Sequence, residues 1–321
     1  MELMMRPYEQ RFVWNLDWNL LRTFMVMVDQ GGITPAAAFL GLKQPTISSA
    51  LKRLETQVGK HLVNRSSTHF SVTPMGEVLY AETRAIFGSV MQLPLLLSDV
   101  EDTVTGQISI ALASHVISPH FDSVLERFNA THPDVSYSLS IAESEDVIAR
   151  VRQNAVSFGV CLVSQRLPRL EYRALYREYF GLFCGPGHRL FGQSDLKLSD
   201  LRDETAVSFQ TDNAAGPLFG LARLRQKTGM RADLKGISSS LSEVRRLIAC
   251  NVGIGALPVH IAARDVDAGR LWQLPPYTAL PAIDIHLVTN PARSLNRAEA
   301  VLLEMLIGEI NDVPLRDRSY S

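Results

Sequence analysis

Apolar residues in the first part of the chain recur at helical spacing and stop at glycines. Leu21, Phe24, Met25 and Val28 give an apolar face to a helix over residues 20–29, which Gly31-Gly32 ends. Thr34-Pro35 reads as the cap and first turn of a second, short helix built on Ala36, Ala37 and Leu40, broken by Gly41. Pro45 starts a third, in which Ile47, Leu51, Leu54 and Val58 point inward and Gly59 supplies the stop. Two short helices joined by a tight turn predict a helix-turn-helix, although an ordinary helical hairpin shares the pattern. Residues 62–63 and 70–72 read as the strands of a hairpin with a polar tip at 65–69, a wing beside that motif.

Thr73-Pro74 repeats the cap signature and opens a long helix. Leu79, Ile86, Leu93 and Val100 recur every seven residues, with Thr83, Val90 and Leu97 between them. That heptad seam predicts self-association, and Pro94 ends its straight part. A single amphipathic helix packed on its own domain would carry a similar stripe. From Gly106 the period changes. Strand-like runs at 107–113, 135–141 and 156–163 alternate with helical runs at 120–130 and 145–153, which is βαβ alternation and a mostly parallel sheet. Around residues 172–184 the chain leaves this unit for a second alternation: 205–209, a helix at 214–228, 232–237, a helix at 241–250, then 252–258. A strand at 283–288 and a terminal helix at 296–310 return it to the first unit. Two α/β lobes joined by crossing strands leave a cleft between them, a common seat for a small ligand.

The outer face of the third helix changes the picture from fold to chemistry. Gln44, Thr46, Ser48 and Ser49 are short hydroxyls and amides that reach base edges, while Lys43, Lys52 and Arg53 reach phosphates. Thr34 and Pro45 open the two helices, and Arg65 and His69 give the wing its positive character. The whole chain has a net charge of −1, so any attraction to DNA is local. Residues 15–74 hold six Lys/Arg against three acids, a surplus of three that favours several copies acting together. An apolar fraction of 46% and a charged fraction of 20% are ordinary for globular chains. The first fourteen residues are interrupted by charges and no run is long enough to span a membrane, so the expectation is a cytoplasmic protein. Cys161, Cys184 and Cys250 form no CxxC pair and sit in or beside apolar runs, as buried structural thiols do. Histidines show no metal-ligand spacing, and GxSxG, Walker and HExxH motifs are absent, which argues against an enzyme, a metal site or a cofactor.

The run NLLRTF…AAAFLGLKQPTISSALKRLE…GKHLVNR…VTPMGE resembles the N-terminal domain of the LysR-type transcriptional regulators, and the likeness extends from about residue 16 to residue 310. The resemblance implies a multi-domain chain. Residues 16–73 would form an α-rich winged helix-turn-helix and 74–104 a long linker and dimerisation helix carrying Leu79, Thr83, Ile86, Val90, Leu93 and Leu97. A two-lobed α/β effector-binding domain, similar to type 2 periplasmic binding proteins, would follow, with lobe 1 at 105–175 and 276–310 and lobe 2 at 176–275. Residues 1–15 and 311–321 would be an extension and a tail. It also implies a homodimer, or a homotetramer, on double-stranded promoter DNA, with a small-molecule effector changing the DNA contacts and RNA polymerase as a further partner. Three departures stand out: Ser49 where members often carry Arg or Lys, Lys43 where they often carry Ser, and a wing poorer in Arg. Asn154 and Ser157 replace a usual Gly and Asp just before a strand, which concerns a turn more than the cleft. A ligand-binding adaptor with weakened DNA binding is the alternative.

For the cleft, Ser118, Ser144, Ser239 and Ser240 precede or open predicted helices, and amides with short hydroxyls suit an anion such as a carboxylate. Helix caps have the same signature. The positions of Ser114, Ser118 and Ser144 match places where family members hold effectors. Ser208 and Gln210 are expected lining from the second lobe, and His115 a polar contact.

Overall fold

The computed structural model describes residues 16–65, 70–91, 93, 104–212 and 216–320, and divides at residues 93 and 94 into two compact units. In the first, α1 (Trp18–Asp29), α2 (Ile33–Leu40) and α3 (Gln44–Val58) bury Leu21, Phe24, Met27, Ala36, Ile47, Leu51 and Leu54 in one core. Asp17 caps α1, its carboxylate accepting from the Asn19 amide at 3.0 Å. Gly41 (φ 65°) and Gly59 (φ 70°) end α2 and α3 in the left-handed region, where a residue without Cβ is least strained. The second helix starts earlier than its sequence signature suggests. Gly32 is the cap, and Thr34 and Pro35 lie inside the first turn, where a missing N–H costs nothing.

The wing is a two-stranded antiparallel ribbon of β1 (Val63–Arg65) and β2 (Phe70–Val72), with Asn64 opposite Ser71. Glu55 on α3 holds its base: the buried carboxylate accepts from the Leu62 amide at 2.9 Å. The helix α4 (Pro74–Met91) opens as expected, with Thr73 Oγ1 accepting from the Gly76 amide at 3.0 Å. It is fastened to α1 by a triad in which Tyr80 donates to Asp29 at 2.5 Å and Arg84 donates to both, each at 3.0 Å.

The second unit is built on a mixed sheet. β3 (Gly106–Ala113) lies between β4 (Val135–Ala142) and β5 (Phe158–Leu162), all parallel. β11 (Ala282–Thr289) then runs antiparallel to both β5 and β6 (Glu171–Cys184), so the expected mostly parallel sheet is interrupted by an antiparallel strand in its interior. The long β6 serves both lobes. Residues up to Tyr179 pair with β11, and from Phe180 onward the strand pairs with β9 (Gly255–Pro258) and β10 (Trp272–Leu274). A separate parallel pair, β7 (Ala206–Phe209) and β8 (Leu234–Ser238), completes lobe 2. The helices α5 (Pro119–Thr131), α6 (Ser144–Arg152) and α10 (Arg297–Asp312) belong to lobe 1, and α7 (Phe219–Thr228), α8 (Leu241–Ala249) and α9 (Val259–Asp267) to lobe 2. Neither α9 nor β10 is expected from sequence. The last described residues form β12 (Ser319–Tyr320), parallel to β6.

Asn154 adopts a left-handed φ of 55° and accepts from Asn290 at 2.8 Å, so it serves a turn that glycine would also fit. Ser157 donates to Glu299 at 2.6 Å, away from the cleft.

Candidate DNA-reading face and effector cleft

Two surfaces answer to the chemistry expected of the chain. On α3, Ile47, Leu51 and Leu54 anchor the helix and turn the opposite row outward: Lys43, Gln44, Pro45, Thr46, Ser49 and Lys52 are exposed, with Ser48 half-buried beside them. Thr34 is exposed on α2. Arg53, also exposed, donates to Asp17 at 3.3 Å, an exposed pair worth little in water. Lys60 and His61 continue the polar surface toward Asn64 on the wing, and they border the grooves that also receive Lys52. His69 and the Arg65 side chain lie outside the described residues.

The seam residues divide. Leu79 packs on the core of its own domain and Thr83 is fully buried there, Ile86 is half-buried, and Val90 and Leu93 are about half exposed, at 47% and 50%. Leu97 lies outside the described residues. Along the outer side Met75, Val78 and Met91 are exposed as well.

In the second unit the lobes close on one another. Ser114, in the loop after β3, donates from Oγ to the Ser239 carbonyl at 2.9 Å, while the same oxygen accepts from the Leu241 amide at 3.3 Å. A lobe-1 hydroxyl thus caps a lobe-2 helix. Behind this bridge lies a small, partly open space of ≈ 20 Å³, room for about one water. Its walls are apolar (Ala113, Leu162, Phe180, Phe209, Leu218), with Ser114, His115, Glu143, Ser144, Thr211 and Ser239 as the polar edges. His115 is buried and its Nε2 has no hydrogen-bond partner. Burial lowers its pKa from 6.5 to about 4, so the imidazole is neutral at physiological pH.

Three serines are engaged elsewhere. Ser118 caps α5 and lies 2.8 Å from the Tyr320 hydroxyl. Ser208 donates to Asp212, which also receives Arg225. Ser240 lines an outer groove with Glu143, Asp146 and Arg150 rather than the space behind the bridge. Gln210 is exposed, its amide donating to the Ser238 carbonyl at 3.1 Å.

This architecture is matched by known proteins over nearly its whole length. Residues 18–77 match the family model for the bacterial regulatory helix-turn-helix protein, lysR family, and residues 101–310 match the LysR substrate binding domain. The chain belongs to the LysR family of transcriptional regulators. Among relatives of this LysR-type regulator is the HTH-type transcriptional activator BauR of Pseudomonas aeruginosa, 26% identical over 88% of this chain and 92% of that protein. The regulator CysL of Bacillus subtilis is 24% identical over 78% and 83%. The fold is shared with full-length LysG from Corynebacterium glutamicum with bound effector Arg (TM-score 0.58, 19% identity, 92% and 99% covered). It is also shared with full-length CbnR complexed with its target DNA (0.60, 17%, 92% and 100%).

Within this LysR-type regulator, sequence reasoning named Ser114, His115, Ser144 and Ser239 at the cleft but missed its apolar walls and Thr211. Phe180 and Phe209 are not singled out in sequence, because an apolar residue facing a cleft has the same local pattern as one facing another layer. The cysteines are corrected in one respect: burial pushes Cys161 and Cys184 up to about 12, whereas Cys250 is exposed at the end of α8. Among the described residues no group of His, Cys, Asp or Glu is placed to hold a metal, and no helix is long and apolar enough to cross a membrane.

Proposed function

We propose that this LysR-type regulator acts in the cytoplasm as a homodimer, assembling into a homotetramer, on roughly palindromic promoter DNA. The exposed row from Lys43 to Lys52 enters the major groove, with Gln44, Thr46, Ser48 and Ser49 at base edges and Lys43 and Lys52 on phosphates. Val90, apolar and exposed on α4, and Leu93, exposed just beyond its end, are offered to the partner helix.

The effector is a small carboxylate with a short apolar body. Leu162, Phe180 and Phe209 take the body, and the hydroxyls of Ser114, Ser144 and Thr211, with the amides that open α6 and α8, take the carboxylate. The observation that carries this reading is the unpartnered Nε2 of the buried His115 beside that small space, a polar atom that a ligand would satisfy. The space is too small for such a molecule while Ser114 bridges the lobes, so effector entry requires the cleft to open, and that links binding to lobe movement.

The test uses the full-length protein. Bound genomic fragments are selected and their shifts repeated at two salt concentrations, while melting is followed with small carboxylates and their neutral amides. The expected result is an enriched palindrome, and carboxylates that raise the melting temperature and alter the shift. Equal effects from the neutral amides would overturn the anionic effector, and binding without sequence enrichment would favour the adaptor alternative.

A further inference from the structure

The family model ends at residue 310, yet the chain beyond it returns to the place where the two lobes meet. Arg318, buried, donates to the carbonyls of Val313 at 2.9 Å, Ala174 at 2.8 Å and Ile310 at 3.1 Å, and also to that of Leu175. It fixes the turn that delivers β12. Ser319 then pairs with Arg177 and Tyr320 with Glu178, just before β6 exchanges its lobe-1 neighbour β11 for its lobe-2 neighbour β9.

Tyr320 touches both lobes from this position. Its hydroxyl lies 2.8 Å from Ser118 Oγ, 2.7 Å from His120 Nδ1 and 3.4 Å from the His120 amide. One assignment satisfies all three: the amide and Ser118 donate to the phenol oxygen, which donates to Nδ1. Ser118 in turn accepts from the Phe121 amide at 3.3 Å, so the start of α5 is tied to the tail. On its other side the Tyr320 ring packs against His260 of α9, with centroids 5.0 Å apart. His260 itself crosses from lobe 2, Nε2 donating to the Ile117 carbonyl at 3.2 Å. Residues 117–120, directly after the cleft loop of Ser114 and His115, are therefore gripped by the tail and by lobe 2 at once.

We propose that the C-terminal strand is an interlobe latch. Tyr320 and His260 hold residues 117–120 in the arrangement that lets Ser114 reach lobe 2, and release of this grip accompanies opening of the cleft. The latch rests on the reading of that cleft as the effector site, and supplies its regulation from a segment outside the matched family domain.

Hydrogen–deuterium exchange of the full-length protein tests it without any effector. The Leu241 amide, at the first residue of α8, owes its protection to Ser114 across the cleft. Tyr320→Phe keeps the ring and removes the hydroxyl, and His260→Phe keeps a ring and removes the bond to Ile117. Each is expected to speed exchange at Leu241 about fivefold, the effect of losing one hydrogen bond, with α1–α3 unchanged. Ending the chain at Arg318 should speed it further. Faster exchange confined to residues 117–121 would reduce Tyr320 to a local support of α5 and overturn the latch, as would no change in either segment. Because no effector enters the measurement, failure here leaves the effector reading standing, and failure of the ligand screen leaves the latch standing.

Discussion

His115→Gln isolates what it costs this fold to keep an imidazole at the cleft. Burial lowers the His115 pKa from 6.5 to about 4, so below pH 6.5 the unfolded chain takes up a proton that the folded chain refuses. The unfolded state then binds more protons, and stability falls with falling pH until the folded pKa is reached. The contribution is fully present above pH 6.5 and lost progressively toward pH 4. At pH 4.5 the loss is about 2–3 kcal/mol relative to pH 7.5, at about 1.4 kcal/mol per pH unit crossed. Glutamine does not titrate, so the wild type should lose about 2–3 kcal/mol more than the variant between those two conditions, whatever the variant costs at neutral pH. Of the three tryptophans, only Trp272 lies in the second unit. Urea unfolding followed by its fluorescence, in a Trp14→Phe, Trp18→Phe background, therefore reports on the unit that contains His115. A stability difference between wild type and variant that does not change with pH would refute a buried, neutral His115.

Other outcomes follow from the same geometry. Lys52→Ala should weaken binding to all DNA sequences and lower the salt slope by about 0.9 per protomer, whereas Thr46→Ala or Ser48→Ala should change which selected sites are enriched; equal, sequence-independent losses from all three would contradict these roles. Leu51→Ala, removing a side chain that is 1% exposed, should cost about 2–5 kcal/mol and abolish specific DNA shifts, read by urea unfolding beside gel shifts. Glu178 is fully buried with neither carboxylate oxygen paired, and burial raises its pKa well above the ordinary range. Here the folded chain holds a proton that the unfolded chain gives up, so stability falls as pH rises above that range. Glu178→Gln should therefore melt higher than wild type at pH 8, by about 2–4 °C for each kcal/mol recovered, with the gain shrinking toward pH 4.

The first unit was largely legible because its signals are local. Ile47, Leu51 and Leu54 repeat at helical spacing and Gly59 stops them, so the outward row of α3 could be named without coordinates. Thr34-Pro35 misplaced the start of α2, since a Thr-Pro pair suits both a cap and an interior first turn. Along α4 the seven-residue repeat was real, but repeat alone does not say which partner it meets, and Leu79 and Thr83 face their own domain. In the second unit the strands were readable and their directions were not: the antiparallel course of β11 depends on chain routing, which no local pattern encodes. The short α9 has no side-chain cap, and the two residues of β12 carry no periodicity. Tyr320 was therefore invisible as a contact of Ser118 and His260, which stand 202 and 60 positions away.

The triad of Asp29, Tyr80 and Arg84 has a mechanical meaning for how this regulator turns a signal into a change on DNA. A helix joined to a reading head only through its first residue would act as a tether, absorbing rotation in the joint. Here α4 is bonded to α1 along its side, nearly two turns beyond its start and again one turn further on, and Leu79 packs into the same core. With these bonds and this shared core, α4 and α1 to α3 form one packed body, so a rotation of α4 would carry the helix-turn-helix with it. In the homodimer proposed above, the angle between two such heads, rather than the shape of either, would then be what a change at α4 alters.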